Sequence, residues 1–286
     1  MKDRLFAISQ YFLPHHLISR AVYGFVENTC PRFKNALIRR IIQQYDVDMS
    51  EAERENPEDY LHFNDFFTRS LKQGVRPLSE DQSLIVSPAD GEVSQIGNIE
   101  NGRVFQAKGH DYSLIELLGG DDDLGQEFMG GKFATIYLSP RDYHRVHTPF
   151  GGTLRKMIHV PGRLFSVNQN TVENIPNLFA RNERVVAIFD TERGPMAVIM
   201  VGAMIVASIE TVWAGLVTPV RKNVRTFNYG ESSAEQVSLS RGDEMGRFKM
   251  GSTAIVLFGK DQVDWLESFE AGSKIKMGEA LAAPVN

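Results

Sequence analysis

The sequence predicts an α+β protein in which a helical N-terminal region, residues 1–72, precedes a mainly antiparallel β-rich domain, residues 73–286. Two observations carry this. Apolar residues recur at helical spacing in the first region, and from about Arg76 the pattern breaks into short apolar runs separated by Gly, Pro, Asn and Asp. Many short strands with few helical stretches between them mark a barrel or sandwich. With 286 residues, 42% of them hydrophobic and 23% charged, the chain can bury a sizeable core as one large domain with an appendage or as two domains.

In chain order, Leu5, Phe6, Ile8, Tyr11, Phe12 and Leu13 precede Pro14, and Leu17, Ile18, Val22, Tyr23, Phe25 and Val26 follow it, which predicts an apolar, aromatic-rich element. Pro31 sits where a helix can begin. Phe33, Leu37, Ile38, Ile41 and Ile42 then recur at helical spacing, with Lys34, Arg39 and Arg40 elsewhere on the wheel, giving a basic amphipathic helix. Asn64 is a candidate cap for a further short helix carrying Phe66, Phe67 and Leu71. Strand-like runs follow at 84–86, 91–96, 133–138, 185–189, 196–203, 205–212 and 254–258. The acidic run Asp121–Asp123 reads as a solvated loop, since it lacks the ligand spacing of a cation site.

The net charge of -5 is unevenly placed: from Met1 to Tyr45 there are seven basic residues against two acidic ones. Such asymmetry points to a polyanionic partner, a membrane or a nucleic acid. Here the basic excess is interleaved with apolar residues rather than spread over a basic sheet face, which disfavours nucleic acid. The N-terminal helices have two readings, packing on the main domain or docking on a membrane, and their basic bias and density of Phe and Tyr favour the membrane. The single cysteine, Cys30, excludes an internal disulfide framework and a cysteine-built zinc site, and is expected to be a buried or interfacial thiol. The longest uncharged stretch, Gly194 to Ile209, is shorter than the ~20 residues of a membrane span and reads as one or two buried strands. The N-terminus lacks the long apolar run and small-residue cleavage site of a secretory signal.

Three segments hold chemistry-bearing residues: Ser87–Gly91 (SPADG), Leu138–His147 (LSPRDYHRVH) and Phe248–Thr253 (FKMGST). Taken singly, each has an ordinary reading. Asp90-Gly91 is a common turn pair, His144 and His147 suit metal binding, core packing or proton transfer, and Gly251-Ser252-Thr253 fits a bend entering a strand. Together they supply an acid, a histidine and a serine, the parts for orienting a base and activating a hydroxyl. Two histidines without a third, a Glu motif or a cysteine cluster make a zinc site the weaker reading, and no GxSxG elbow surrounds Ser252. A serine directly after glycine is sterically open, so its hydroxyl can reach the carbonyl of the preceding peptide bond.

SPADG, YHRVH and GST, in that order and with GST near the C-terminus, resemble the phosphatidylserine decarboxylase family in its bacterial, membrane-bound form. The resemblance runs on through Val160–Asn168 (VPGRLFSVN), Asn177–Arg184 (NLFARNER), Ile209–Gly215 (IETVWAG) and Glu244–Phe248 (EMGRF), and so covers nearly the whole chain. One departure is Met250, where the family usually has Leu before Gly-Ser-Thr; the two are similar in volume and the exchange should be tolerated.

The resemblance implies a pyruvoyl-dependent decarboxylation of phosphatidylserine to phosphatidylethanolamine and CO2, after autocatalytic serinolysis between Gly251 and Ser252 into a large chain, 1–251, and a small chain, 252–286. It implies a charge relay in which Asp90 orients His147 and His147 takes the proton of Ser252. Ser252 would become a covalently bound pyruvoyl group that condenses with the substrate amine, so no external cofactor and no metal is expected. His144 is implied as the proton donor in decarboxylation. Phe165, Ser166 and Asn168 are candidates for holding the substrate, or equally for a turn and a core contact. An intertwined barrel and sandwich, a dimer of cleaved protomers and peripheral attachment to the cytoplasmic face of the bacterial inner membrane complete the expectation, with no nucleic-acid partner. The rivals are a pyruvoyl decarboxylase of a soluble amino acid, a noncatalytic membrane-binding module and, more weakly, a serine hydrolase.

Overall fold

The computed structural model describes residue 7 and residues 9–204, 208–218, 223–230, 236–249 and 252–285, with the backbone alone at Arg20 and Ser252. In the N-terminal region, helices span His15–Val26 and Pro31–Tyr45, the second with proline in its first turn and Asp46 in the left-handed conformation at its end. A short helix, Phe63–Phe67, follows. Its cap is His62, whose ring accepts the Asp65 N–H at 3.1 Å; the expected cap, Asn64, is buried inside the helix and donates to Glu27 Oε1 at 2.6 Å. Leu71 lies beyond the helix, in a bridge to Ala52.

Ile38, Tyr60, Phe63, Phe66 and Phe67 bury together with Val26 and Val47, so the apolar stripe of the Pro31–Tyr45 helix serves the protein interior. Lys34 is buried as well and donates to the Glu58 carbonyl at 3.0 Å. Among the described residues of this region, Phe12, Leu17, Phe25, Phe33 and Leu61 stay exposed, with the Phe25 and Phe33 rings 6.3 Å apart. Cys30 is exposed too, so of the two expectations for it the buried thiol does not hold.

The strands of the rest of the chain, among the described residues, begin with β1 Ile85–Val86, β2 Gly91–Asn98, β3 Arg103–Ala107, β4 His110–Ser113, β5 Lys132–Leu138, β6 Arg145–His147, β7 Gly152–Val160, β8 Arg184–Thr191 and β9 Gly194–Val201. They continue with β10 Ser208–Thr211, β11 Gly215–Leu216, β12 Arg225–Asn228, β13 Ser238–Leu239, β14 Glu244–Lys249, β15 Ser252–Phe258, β16 Val263–Trp265, β17 Lys274–Ile275 and β18 Ala280–Pro284. The strand expected over 205–212 is seen from Ser208; residues 205–207 lie outside the described set. β3, β4 and β7 were not read from the sequence, because Arg, Gln, Asp and Lys interrupt their apolar positions.

The largest sheet runs β12-β7-β8-β9-β15-β5-β2-β17, with β13 also on β7. Every ladder in it is antiparallel. Its central strands are apolar on both faces. Ile255, Leu257, Ile199 and Val186 pack under the β3–β4 hairpin and the short helices Leu114–Leu117, Asp122–Glu127 and Leu178–Arg181. Ala254, Val256, Val198 and Ala187 pack on the second sheet, β11-β10-β14-β6, through Ile209, Met245, Phe248 and Val146. A sheet covered twice reads as continuous apolar runs rather than alternation, which is how AVIMV and AIVLF stand in the sequence.

The sheet paths end on open edges, so among the described residues none closes into a barrel, and a central sheet covered on both faces stands in the barrel's place. The acidic run is not a loop either. Asp121 caps the Asp122–Glu127 helix by accepting the Leu124 N–H at 3.0 Å, and Lys156 donates to its other oxygen at 2.9 Å.

Candidate active site

The loop between β5 and β6 is held by Asp142, whose carboxylate accepts the Ser139 N–H at 2.6 Å and the Ser139 hydroxyl at 2.7 Å. This turn delivers Tyr143, His144 and, on β6, His147. SPADG lies alongside: the His147 N–H donates to the Pro88 carbonyl at 2.8 Å, and Ser87 and Glu279 are joined by a 2.8 Å backbone bond. β14 pairs with β6, setting Glu244 opposite His147, and the Phe248 N–H donates to the His144 carbonyl at 3.0 Å. β15 starts four residues later with Ser252 opposite Leu138, next to Ser139. The backbone therefore gathers SPADG, YHRVH and the head of β15 in one place; Met250 and Gly251 of the expected cleavage site, and the side chain of Ser252, lie outside the described residues.

Gly91 has a reason other than a turn. Its backbone is extended, and a Cβ there would fall 2.3 Å from the Tyr137 carbonyl oxygen, so glycine is required for the close approach of β2 to β5.

His147 is nearly buried and engaged at both ring nitrogens. A carbonyl can only accept, so the 2.8 Å contact to the Gly242 oxygen fixes the proton on Nδ1. The lone pair is then on Nε2, where the Tyr143 hydroxyl donates at 3.0 Å. Burial pushes the imidazole below its ordinary pKa, opposed by the Gly242 hydrogen bond and the Glu244 carboxylate. Gly242 occupies the left-handed region at φ +84°, and an added Cβ would strike Leu78 at 2.6 Å.

Asp90 makes none of the hydrogen bonds to His147. Its carboxylate takes Arg76 Nε at 2.9 Å, Arg76 Nη2 at 2.5 Å and the Met277 N–H at 2.9 Å. Arg76 also donates to Glu51 at 2.6 Å, so one guanidinium ties the N-terminal region to SPADG, and Asp90 in turn holds the C-terminal segment. Asp90 acts on His147 through space, its charge favouring the protonated imidazole.

His144 is fully buried and stacked on Phe67, ring centroids 4.0 Å apart. Its Nε2–H donates to the Ser139 carbonyl at 3.1 Å, which leaves Nδ1 as a buried acceptor without a partner among the described residues. Burial, with the Arg69 guanidinium nearby, pushes its pKa down to about 3.

The other candidates have ordinary partners. Phe165 is core, packed on Tyr11 and His15 at 5.2 Å from each. The Ser166 N–H donates to Gln10 at 2.8 Å, and Asn168 caps the short Gln169–Val172 helix by accepting the Thr171 N–H at 3.0 Å. Between Ser166 and Asn168, Val167 lines a cavity of about 340 Å³ with Glu92, Tyr137 and Gln169. Among the described residues no group of three or more His, Cys, Asp and Glu is placed to hold a metal ion.

The phosphatidylserine decarboxylase family profile matches residues 63–283, and a second profile, described as PSD, matches residues 5–46. The phosphatidylserine decarboxylase proenzyme of Pseudomonas fluorescens is 64% identical over 281 residues, 98% of each chain. Those of Pseudomonas entomophila and Pseudomonas putida are each 64% identical, over 99% and 100% of this chain and 99% of their own.

Proposed function

The chain belongs to the phosphatidylserine decarboxylase family, and from that premise we infer that it cleaves itself at Gly251-Ser252 and then converts phosphatidylserine to phosphatidylethanolamine and CO2. The observation that carries this reading is the backbone convergence of three motifs far apart in sequence: His147 bonded to Pro88, Phe248 to His144, and Ser252 opposite Leu138. Such a gathering suits a hydroxyl, a base and the peptide bond that they attack.

In self-cleavage, His147 Nε2 takes the proton of Ser252. The freed oxygen attacks the Gly251 carbonyl and exchanges the amide for an ester. Elimination across Ser252 releases the large chain with a C-terminal carboxylate, and loss of ammonia to water leaves a pyruvoyl group at the head of β15. Gly242 serves as the direct orienter of His147, while Asp90 contributes charge and the Arg76 clamp.

Ser252 pairs with Leu138, the neighbour of the Ser139 whose carbonyl accepts from His144 Nε2, so such a group would stand at the loop that carries His144. Bound there, its carbonyl is an electron sink for the electrons left behind as CO2 departs. His144 then supplies the proton. At rest it is neutral with its lone pair on Nδ1, so it must first load a proton there; an anionic headgroup offsets Arg69 and raises its affinity for one. His144 Nδ1 returns that proton to the substrate carbon.

The enzyme works at a membrane surface as a dimer of cleaved protomers, peripheral to the cytoplasmic face of a bacterial inner membrane. Among the described residues no helix is long and apolar enough to cross a membrane, and exposed Phe12, Leu17, Phe25 and Phe33 suit shallow insertion. The test is an assay with phosphatidylserine vesicles: the wild type yields phosphatidylethanolamine and CO2, and His144→Ala still cleaves itself but loses decarboxylation by about a hundredfold or more. Failure of that variant to cleave would contradict the separation of roles.

A further inference from the structure

We propose that the Tyr143 hydroxyl is a cap on the self-cleavage base, occupying the His147 Nε2 lone pair so that maturation waits on its displacement. This deepens the self-cleavage reading and rests on it.

The Gly242 oxygen has no hydrogen to give, so the 2.8 Å contact at Nδ1 places the proton there and leaves Nε2 as the acceptor. The Tyr143 hydroxyl, 3.0 Å from Nε2, is the donor that fills it. Tyr143 is only 6% exposed, so water does not compete for the phenol, and burial raises its pKa, keeping the hydroxyl protonated at neutral pH.

The ring does not need this contact to stay in place. It is held by Gly242, by the backbone bond to Pro88 and by its place on β6 opposite Glu244. The hydroxyl therefore adds little to orientation while engaging the one atom that must receive the Ser252 proton. When the phenol swings aside, Nε2 accepts that proton, the imidazole becomes cationic and the serine oxygen attacks. No other reactant is required. Tyr143 acts through His147 and is a positioning residue rather than a catalytic one.

The test follows cleavage of the full chain made by in vitro translation, over a range of pH, for the wild type, Tyr143→Phe and Ser252→Ala. Removing one buried hydrogen bond to the base should speed cleavage about two- to tenfold at neutral pH and above. A donor to the lone pair stabilises the neutral ring, so its loss raises the His147 pKa, and the acid limb of the rate profile moves to higher pH. An unchanged rate and profile, or slower cleavage at every pH, overturns the proposal, the latter because the hydroxyl would then be assisting. Histidine NMR titrations of the uncut Ser252→Ala protein, with and without Tyr143→Phe, provide a second reading independent of cleavage. The cap predicts a higher His147 pKa once the hydroxyl is gone, and an unmoved titration contradicts it. A wild type that stays whole while the NMR shift appears would instead bring down the self-cleavage reading.

Discussion

His144 ties burial to pH most directly. Its folded pKa of about 3 lies below the ordinary histidine value of about 6.5, so below the latter the unfolded chain binds a proton that the folded one refuses. Stability is full above about pH 6.5 and falls as pH drops, by about 1.4 kcal/mol per unit until about pH 3. Urea unfolding of the uncut Ser252→Ala protein at pH 7 and pH 5 should show this loss, with a shallower slope when His144→Asn is added. Equal slopes would mean that His144 is not the neutral, buried ring seen here. Other contacts at this scale were not legible. YHRVH contains Tyr143, but no spacing rule says that its hydroxyl meets His147, and Gly242 lies 95 residues from His147 in the chain. Asp90 stood out in the sequence as a candidate but its partners did not, because Arg76 and Met277 reach it only through tertiary packing.

Among the elements, the Pro31–Tyr45 helix was readable from Pro31 and its apolar spacing, yet what its apolar side covers was not. An amphipathic stripe looks the same whether it covers a core or a membrane, and here Ile38 is buried against Phe63 and Phe66, with Arg39 paired to Glu58. The proposed docking rests most on Phe12, Leu17 and Phe25, each more than 60% exposed. Replacing all three with Ser should weaken binding to anionic vesicles on the order of a hundredfold, as measured by sedimentation, because each contributes part of the apolar burial. Undiminished binding would place the membrane contact elsewhere. Strands β5, β8, β9 and β15 were legible because both of their faces are buried, whereas β3, β4 and β7 carry charged residues on one side and hid in the pattern.

For the molecule as a whole, the large sheet explains how a chain can be cut without falling apart. β15, the first strand of the expected small chain, sits between β9 and β5, with ladders on both sides and apolar packing on both faces. β18 pairs with β1 of the expected large chain, and Met277 bonds to Asp90. Cleavage before Ser252 therefore removes one covalent link from a segment already held along its length. Whether this cut occurs and leaves a carbonyl group is decided by intact-mass analysis of the purified protein. Two chains are expected, the smaller starting at residue 252 and lighter by one ammonia than the same peptide beginning with serine. A single uncut chain, or a small chain that keeps its serine, would contradict that expectation.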